Sequence, residues 1–228
     1  HIAGIPVIEI KRTPLDGWGK VLKRCFDMAV SGFLFVLTLP VSILIALIVF
    51  LTSDGPVIYR NRRCGAGGEF DVFKFRTMQW KYCTDQHNPR HKEALAFEQK
   101  LIREHSARVG PLYKIKDDPR VTPFGRLLRA TSLDELPQLI NVLLGTMSLV
   151  GPRPHQPREV SQYDEHAKKI LSIKPGVTGL AQVSGRSDLS FDEEVTLDLY
   201  YIENWSLKLD LAVLTKTPLA IMRQRVAE

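Results

Sequence analysis

Cysteine is scarce in this chain. Cys25, Cys64 and Cys83 are an odd number among 228 residues, and their spacing matches no zinc or redox motif. We therefore expect free structural cysteines in a reducing compartment. His87 and His91 stand four residues apart, but a proline lies between them and no carboxylate or cysteine completes a site. The sequence does not predict a metal site there.

The sequence also lacks the signatures of a phosphate-binding loop and of a nucleic-acid recognition helix. The cluster of Gly65, Gly67 and Gly68 lacks the Gly-Lys-Ser/Thr ending of a phosphate-binding loop, so it predicts a turn. The basic residues are dispersed and no recognition-helix motif is present, so we do not expect a nucleic-acid partner. The formal net charge of +6 fits another anionic partner, such as a phosphorylated substrate or an acidic membrane face.

Charged residues are absent from Ala29 to Leu51. As a helix, this run would be about 34 Å long, enough to cross a hydrocarbon core of about 30 Å. Pro40 lies near its middle, where it removes a backbone hydrogen bond and bends the helix. Positive charge flanks both ends, whereas a spanning helix shows a one-sided bias. The flanking cations are Lys20, Lys23 and Arg24 before the run and Arg60, Arg62 and Arg63 after it.

These features favour a helix that enters one leaflet, breaks at Pro40 and returns, with both ends on the cytoplasmic side. Two alternatives remain open from the sequence. One is a bitopic helix that crosses the membrane once, and the other is a buried core helix.

The most informative stretch runs from residue 133 to residue 154. Asp134 and Glu135 are followed by Pro137, an apolar segment to about Leu144, and Gly145. Because proline lacks an N–H and disfavours the helical region at the residue before it, Pro137 predicts the first turn of a new helix that Gly145 ends.

A structural alternative exists for the two acids. Ser132 and Glu135 spell a capping box, in which Ser132 caps a helix and Glu135 reaches back to its N–H. A helix beginning at Ser132, however, places Pro137 where its N–H should already bond within the helix. Neither interpretation accounts for the guanidinium groups of Arg126, Arg129 and Arg153 nearby, which suit a phosphorylated substrate.

Three motifs in this order resemble the bacterial sugar transferase family, the monotopic polyprenyl-phosphate phosphoglycosyl transferases. They are Lys74-Phe75-Arg76-Thr77-Met78, Asp134-Glu135-Leu136-Pro137-Gln138 and Gly151-Pro152-Arg153-Pro154. The resemblance covers roughly Lys20 to Arg223. It is to the catalytic domain of a larger member, so we expect further residues before His1 in the full-length protein.

The resemblance implies transfer of a sugar 1-phosphate, with a hexose expected, from a UDP-sugar to polyprenyl (undecaprenyl) phosphate, with release of UMP. This reaction initiates bacterial surface glycan synthesis, of exopolysaccharide, O-antigen or capsule. The implied location is the inner (cytoplasmic) membrane with the catalytic domain on its cytoplasmic face, in contact with membrane lipids. The resemblance leaves a homodimer open.

The resemblance also implies roles for individual residues. Asp134 corresponds to the nucleophile that forms a covalent phosphosugar intermediate, and Glu135 to a second catalytic carboxylate that holds Mg²⁺. Pro40 corresponds to the kink of the family's re-entrant helix, although the usual serine before it is Leu39 here. The expected substrate-binding residues are Lys74, Arg76, Arg129, Arg153, Gln182 and Arg186.

The predicted fold is α+β and predominantly helical, with one re-entrant membrane helix, a small β-hairpin and interfacial amphipathic helices. We expect an arm and linker over residues 1–19, the membrane helix region over 20–56, and a cytoplasmic catalytic domain over 57–228. The hairpin pairs residues 57–59 with 70–75, and alternation places Lys74 and Arg76 on one strand face.

Further elements follow from the same patterns. A helix is expected after Asn88-Pro89, another over Glu159 to Ile173, and a glycine-punctuated loop over Gly179 to Arg186. The stretch from Phe191 to Arg223 predicts C-terminal helices that either pack on the core or lie in the headgroup plane, and we favour the second.

One hypothesis from another class remains open at this stage. A non-enzymatic anchor would use a bitopic helix to tether a basic domain that binds lipid or a partner. It predicts that Asp134 is only a helix cap and that the two ends of the chain lie on opposite sides of the membrane.

Overall fold

A computed structural model describes residues 13–105, 111, 112, 115, 117–185 and 189–227. The extended arm expected over Ile2 to Ile10 lies outside these residues. Within them the chain is α+β and mainly helical, as predicted. The helices are α1 (Trp18–Thr52), α2 (His91–His105), α3 (Pro123–Thr131), α4 (Gln138–Leu144), α5 (Pro157–Val160), α6 (Leu180–Ser184), α7 (Phe191–Glu203) and α8 (Leu207–Ala227). The strands are β1 (Ile58–Gly65), β2 (Gly68–Phe75), β3 (Ser148–Val150) and β4 (Gly176–Thr178).

Helix α1 has 35 residues and is longer than the uncharged run at its centre. In the part of the chain described, it is the helix long and apolar enough to cross a membrane. Pro40 lies inside it, so the carbonyl four residues earlier, at Val36, has no helical N–H donor. The hydroxyl of Thr38 donates to the Leu34 carbonyl at 2.8 Å, a local contact that accompanies bends in apolar helices.

Both halves of α1 pack against the folded domain. In the first half, Leu34 and Phe35 contact the main hydrophobic core. In the second half, Ile45 and Val49 are buried in a separate cluster with Phe75 and Leu128. Between these two contacts, residues 36–44 include no buried side chain. The helix therefore touches the domain near both ends and presents its apolar middle to the surroundings.

The predicted hairpin is confirmed. Strands β1 and β2 pair antiparallel from Ile58 opposite Phe75 to Gly65 opposite Gly68. Gly68 has φ of 98°, a backbone conformation that glycine adopts without strain and that this tight connection requires. A second pair, the parallel strands β3 and β4, was not predicted, because each has three residues and carries too little pattern to recognise.

Two local predictions were wrong. Residues 159–173 do not form one helix: α5 ends at Val160 and a 3-10 helix spans Ala167–Ser172. The Asp164 carboxylate accepts the Ala167 N–H at 2.7 Å, which favours a fresh turn there. Residues 180–184 form the short helix α6 where a loop was expected.

The C-terminal helices contribute directly to the core. Ser190 and Glu193 form a capping box that starts α7. Tyr201 and Trp205, which the sequence placed in an interfacial group, are buried in the main core. Tyr200 is exposed, as are Leu211, Leu219 and Met222 on α8. The helices thus combine core packing on one side with apolar side chains on the surface.

A buried ionic network joins the first helix to the last. Lys23 lies 3.0 Å from Asp27 in α1 and 2.8 Å from Asp210 in α8. Ser148 of β3 donates to Asp27 at 2.7 Å, and Tyr201 donates to Asp210 at 2.7 Å. Because an unpaired buried charge is costly, each member of this network holds the others in place.

Candidate active site

Six of the predicted site residues line one cavity of about 410 Å³. This volume falls within the range of small-molecule pockets. The cavity lies where β2, α3, the turn before α4 and α6 meet a turn formed by Pro152, Arg153 and Pro154, here called the proline-flanked turn. The six residues are Lys74, Arg129, Asp134, Glu135, Arg153 and Gln182. Arg186 lies outside the described residues.

The two acids sit on a 3-10 turn, Leu133–Glu135, between α3 and α4. Ser132 has φ of 55° and ends α3, with its N–H bonded to the Arg129 carbonyl. Leu133 and Leu136 pack in the hydrophobic cluster that also contains Ile45 of α1. The apolar side chains on either side of the acids therefore anchor the turn, while both acids line the cavity.

The capping-box alternative is contradicted. The Ser132 side chain makes no capping hydrogen bond. Helix α4 begins only at Gln138, directly after Pro137, and ends at Gly145 with φ of 86°. The prediction that Pro137 starts a new helix and Gly145 ends it is confirmed, and it leaves both carboxylates outside α4.

The Asp134 carboxyl is 8% exposed, and this burial governs its charge. Burial, with a smaller contribution from the charge of Glu135, raises the pKa of Asp134 to about 6. Lys74 and Arg129 act in the opposite direction and favour the ionised form. Asp134 is thus a buried carboxylate held between like and opposite charges, an arrangement found at reactive groups.

The motif from Lys74 to Met78 supplies two contacts at this site. The Lys74 ammonium lies 2.7 Å from Oε1 of Glu135, which joins β2 to the acidic turn. The Thr77 hydroxyl accepts a hydrogen bond from Nε of Arg129 at 2.9 Å. The strand therefore positions one cation itself and orients a second from α3.

Arg153 is exposed on a turn whose backbone is fixed from two sides. On one side, the Arg63 guanidinium donates to the Pro154 carbonyl at 3.2 Å, and the Cys64 N–H donates to the His155 carbonyl at 2.8 Å. On the other, the Gly176 N–H donates to the Pro152 carbonyl at 2.8 Å. The turn thus presents an exposed guanidinium from a backbone that hydrogen bonds hold on both sides.

Gln182 is held on α6, where its Nε2 donates to the Val177 carbonyl at 3.4 Å. It is 9% exposed, and its Oε1 is buried without a hydrogen-bond partner in the described part of the chain. A buried acceptor without a partner requires an explanation, and a bound ligand or water is the usual one.

Arg76 is not brought to the cavity. Its guanidinium is buried and donates to the carbonyls of Ser53 and Asp54, at 2.7 and 2.5 Å, where α1 has just ended. Burial lowers the pKa of Arg76. Strand β2 ends at Phe75, so the alternation that placed Lys74 and Arg76 on one face stops before Arg76.

Several residues at the cavity were missed by sequence reasoning. His155 and Glu194 lie 3.6 Å apart, and the Tyr163 hydroxyl bonds to His155. The other wall includes Glu98 of α2, which lies 3.3 Å from Arg120. His155 follows the proline-flanked turn directly and could have been suspected. Glu98 and Glu194 come from distant segments and carry no local signal.

The fit of a magnesium ion rests on Glu135, the predicted ligand, which lines the cavity together with Asp134. No group of three or more His, Cys, Asp or Glu side chains in the described ranges could hold a metal. Mg²⁺ usually takes one or two protein carboxylates and completes its shell with substrate phosphates and water. Glu135 therefore fits an ion that arrives with a diphosphate, and the described residues do not fit a site made of protein ligands alone.

Comparison with known proteins finds matches to sugar transferases over nearly the whole chain. The sequence model of the bacterial sugar transferase family matches residues 18–224. The undecaprenyl-phosphate galactose phosphotransferase of Salmonella typhimurium is 42% identical over 224 residues. The UDP-glucose:undecaprenyl-phosphate glucose-1-phosphate transferase of Klebsiella pneumoniae is 38% identical over 226 residues. The exopolysaccharide production protein ExoY of Sinorhizobium fredii is 38% identical over 208 residues.

The relatives differ in length from this chain. The matches to the Salmonella and Klebsiella proteins cover 96% and 95% of this chain, but only 44% and 43% of those proteins. The match to ExoY covers 91% of this chain and 88% of ExoY. The chain thus spans less than half of the two longer relatives and most of the shorter one.

Proposed function

This chain belongs to the bacterial sugar transferase family, and on that premise we propose that it transfers a sugar 1-phosphate from a UDP-sugar to a polyprenyl phosphate. The products are a polyprenyl-diphosphate sugar and UMP. The observation that carries the proposal is the single cavity that holds Asp134 and Glu135 beside Lys74, Arg129 and Arg153. The relatives named for galactose and glucose transfer favour a hexose donor.

The proposed reaction has two displacements at one phosphorus atom. The ionised Asp134 carboxylate attacks the phosphorus that bears the sugar, an oxygen–phosphorus bond forms, and the bond to the UMP phosphate breaks. UMP leaves with the electron pair. An oxygen of the polyprenyl phosphate then attacks the same phosphorus and releases the Asp134 carboxylate. A covalent intermediate divides one difficult displacement into two easier ones.

The cations supply the electrostatic part of catalysis. The attacked diphosphate already carries negative charge, and more charge develops on the oxygens around the phosphorus. Arg129 and Arg153 suit this role because a guanidinium matches phosphate oxygens in a bidentate manner. Lys74 forms an ion pair with Glu135, and its charge stabilises the ionised form of Asp134.

Magnesium fits this scheme as a partner of the donor. Glu135, with Asp134 beside it, would hold the ion, which when bound neutralises charge on the diphosphate. The protein's own contribution is to bring two carboxylates and several cations to one partly enclosed cavity. Loss of Glu135 therefore weakens both the donor site and the balance of charge at Asp134.

The same proposal includes a membrane location on the cytoplasmic face, with α1 as a re-entrant helix. Its support is that both halves of α1 pack on the same domain while residues 36–44 stay uncovered. A bitopic helix places its two ends on opposite sides of a membrane, which does not fit these contacts. The exposed apolar residues of α8, Leu211, Leu219 and Met222, support its contact with the headgroup region.

The decisive experiment looks for the covalent intermediate. Protein in detergent is incubated with Mg²⁺ and a panel of UDP-sugars, without acceptor, and its intact mass and UMP release are followed. We expect a gain of one sugar phosphate in the parent protein and none in Asp134→Asn. Asp192→Asn, an exposed aspartate at the start of α7, is the matched control and should form the adduct.

Two outcomes would contradict different parts of the proposal, namely the role of Asp134 and the transferase activity itself. Adduct in Asp134→Asn would remove Asp134 from the role of nucleophile. If polyprenyl phosphate is then added and neither UMP nor lipid-linked sugar forms with any donor, the transferase proposal fails.

A further inference from the structure

A second group of cations lies away from the cavity, at the beginning of α1. Lys20 and Arg24 come from α1, and Lys174 comes from the loop before β4. The Arg24 and Lys174 side chains approach Gly145 together. A Cβ atom at Gly145 would lie 3.3 Å from Nη2 of Arg24 and 3.6 Å from Nζ of Lys174. Side chains from two separate parts of the chain therefore converge on one point.

Arg24 is fixed within this group. Its Nη1 donates to the Val142 carbonyl at 2.5 Å and its Nη2 to the Leu143 carbonyl at 2.9 Å. These carbonyls belong to the last turn of α4, where a cation interacts favourably with the C-terminal end of the helix dipole. The guanidinium is thus held in place by the fold, and its charge adds to that of the two lysines.

The two lysines have no acidic partner. Both are exposed, and no ion pair involves either of them in the described residues. Partial burial, together with the charges of Arg24 and Lys20, lowers the pKa of Lys174, although the charge of the buried Asp27 acts in the opposite direction. Three cations thus repel one another at one place, and an anion there would relieve the repulsion.

The surroundings of this group are apolar. Trp18 at the start of α1 is 86% exposed, and Leu144 beside Gly145 is 66% exposed. Val21 and Leu22, on the same turn of α1, are also exposed. Tryptophan, aliphatic side chains and lysines together are typical of a protein surface at the membrane–water boundary.

The group is distinct from the candidate active site. It contacts the C-terminal end of α4, whereas Asp134 and Glu135 precede its N-terminal end. Seven helical residues separate the two ends by about 10 Å. A phosphate bound by Lys20 and Lys174 therefore does not lie beside Asp134, and neither lysine lines the cavity.

We propose that Lys20, Arg24 and Lys174 bind the phosphate of an anionic phospholipid head group, with its acyl chains along the exposed residues of α1. This inference rests on the proposed membrane location of α1. A lipid is favoured over a free phosphate because the cations stand beside Trp18 and Leu144, which suit acyl chains and not water. It is favoured over the acceptor phosphate because the acceptor must reach Asp134.

The test measures lipid binding directly. The full chain, in a neutral detergent, is titrated with phosphatidylglycerol and the bound lipid is counted by native mass spectrometry. Each lysine near an anionic lipid contributes enough that loss of both, in Lys20→Gln with Lys174→Gln, should weaken the tightest site by roughly 30-fold. Lys100→Gln removes an exposed lysine of α2 and should leave binding unchanged.

Competition experiments with other ligands test whether the bound molecule is an anionic phospholipid. Phosphatidylcholine should not compete at the same concentration, and neither should inorganic phosphate or polyprenyl phosphate. Equal binding of phosphatidylcholine, unchanged affinity in the double variant, or displacement by either phosphate would overturn the assignment to an anionic phospholipid.

Failure of this inference is distinguishable from failure of the proposed function. Formation of the Asp134 adduct needs no lipid, so it reports on the transferase alone. The double variant should form the adduct at the rate of the parent protein, which also shows that it is folded. An Asp134-dependent adduct without phosphatidylglycerol selectivity would remove only the lipid site.

Discussion

At the scale of single residues, the proposed mechanism places two opposing requirements on Asp134. A carboxylate must be ionised to attack phosphorus, but burial stabilises its neutral form. Lys74 and Arg129 restore part of the ionised state, while Glu135 opposes it. The reactivity of the site therefore depends on a small balance of charges around one carboxyl.

This balance predicts the pH dependence of the first step. The rate constant kcat/KM for the donor should fall on the acid side with a midpoint near pH 6, because protonation of Asp134 removes the nucleophile. Glu135→Gln should move the midpoint to lower pH and Lys74→Met to higher pH, since Glu135 raises the pKa and Lys74 lowers it. The measurement is UMP release against pH, and the position of the midpoint is the readout. Midpoints that move in the same direction in both variants would contradict this account.

The raised pKa of Asp134 has a consequence for stability. Between the ordinary value of 3.8 and about 6, the folded protein keeps a proton that the unfolded chain has released. The free energy of unfolding therefore decreases as pH rises through this window, by up to about 3 kcal/mol. Ionised Asp134 thus lowers stability at neutral pH, as is common for groups selected for function.

At the scale of secondary-structure elements, Arg76 connects α1 to the hairpin of β1 and β2. It bonds to carbonyls at the C-terminal end of α1 and not to residues of the cavity. Its position after β2 thus makes it a structural cation within a motif whose other cation, Lys74, faces the cavity.

Arg76 and Arg153 should therefore behave differently when they are replaced. Arg76→Met should lower the free energy of unfolding by about 3 kcal/mol, because two hydrogen bonds from a buried charge are lost, and should leave KM for the donor unchanged. Arg153→Met, on an exposed side chain, should leave thermal stability unchanged and lower kcat/KM. Thermal unfolding and donor kinetics of both proteins check this. An increase in KM in folded Arg76→Met would restore a substrate role to Arg76.

The elements differ in how far sequence predicts them. Pro137 and Gly145 bound α4 through their own backbone preferences, so its limits could be read locally. The end of β2 decides where Arg76 points, and it depends on pairing with β1. The alternation of side chains in the sequence extended the predicted strand face to Arg76, one residue beyond the observed end of the strand. Glu98 and Glu194 reach the cavity only through tertiary packing, so no local rule could place them there.

At the scale of the whole molecule, the contacts of α1 predict its disposition in a membrane. Cys25, which is exposed near the start of α1, and a cysteine introduced by Thr52→Cys should react with an impermeant reagent from the same side. Cys64 and Cys83 are replaced by serine in both proteins, and Cys25 is also replaced by serine in the Thr52→Cys protein, so that each protein carries one thiol. Labelling in sealed vesicles of either orientation is the measurement. Reaction of the two positions from opposite sides would establish a bitopic helix and contradict the re-entrant proposal.

The network of Lys23, Asp27 and Asp210 also constrains how the protein is made. Lys23 and Asp27 of α1 leave the ribosome well before Asp210, which belongs to α8. Until α8 is synthesised, Lys23 lacks one of its two carboxylate partners, so the packing of α1 on the domain is incomplete. Docking of α8 against α1 therefore has to wait until α8 is synthesised, and a nascent chain interrupted before α8 should be recognised by cellular quality control.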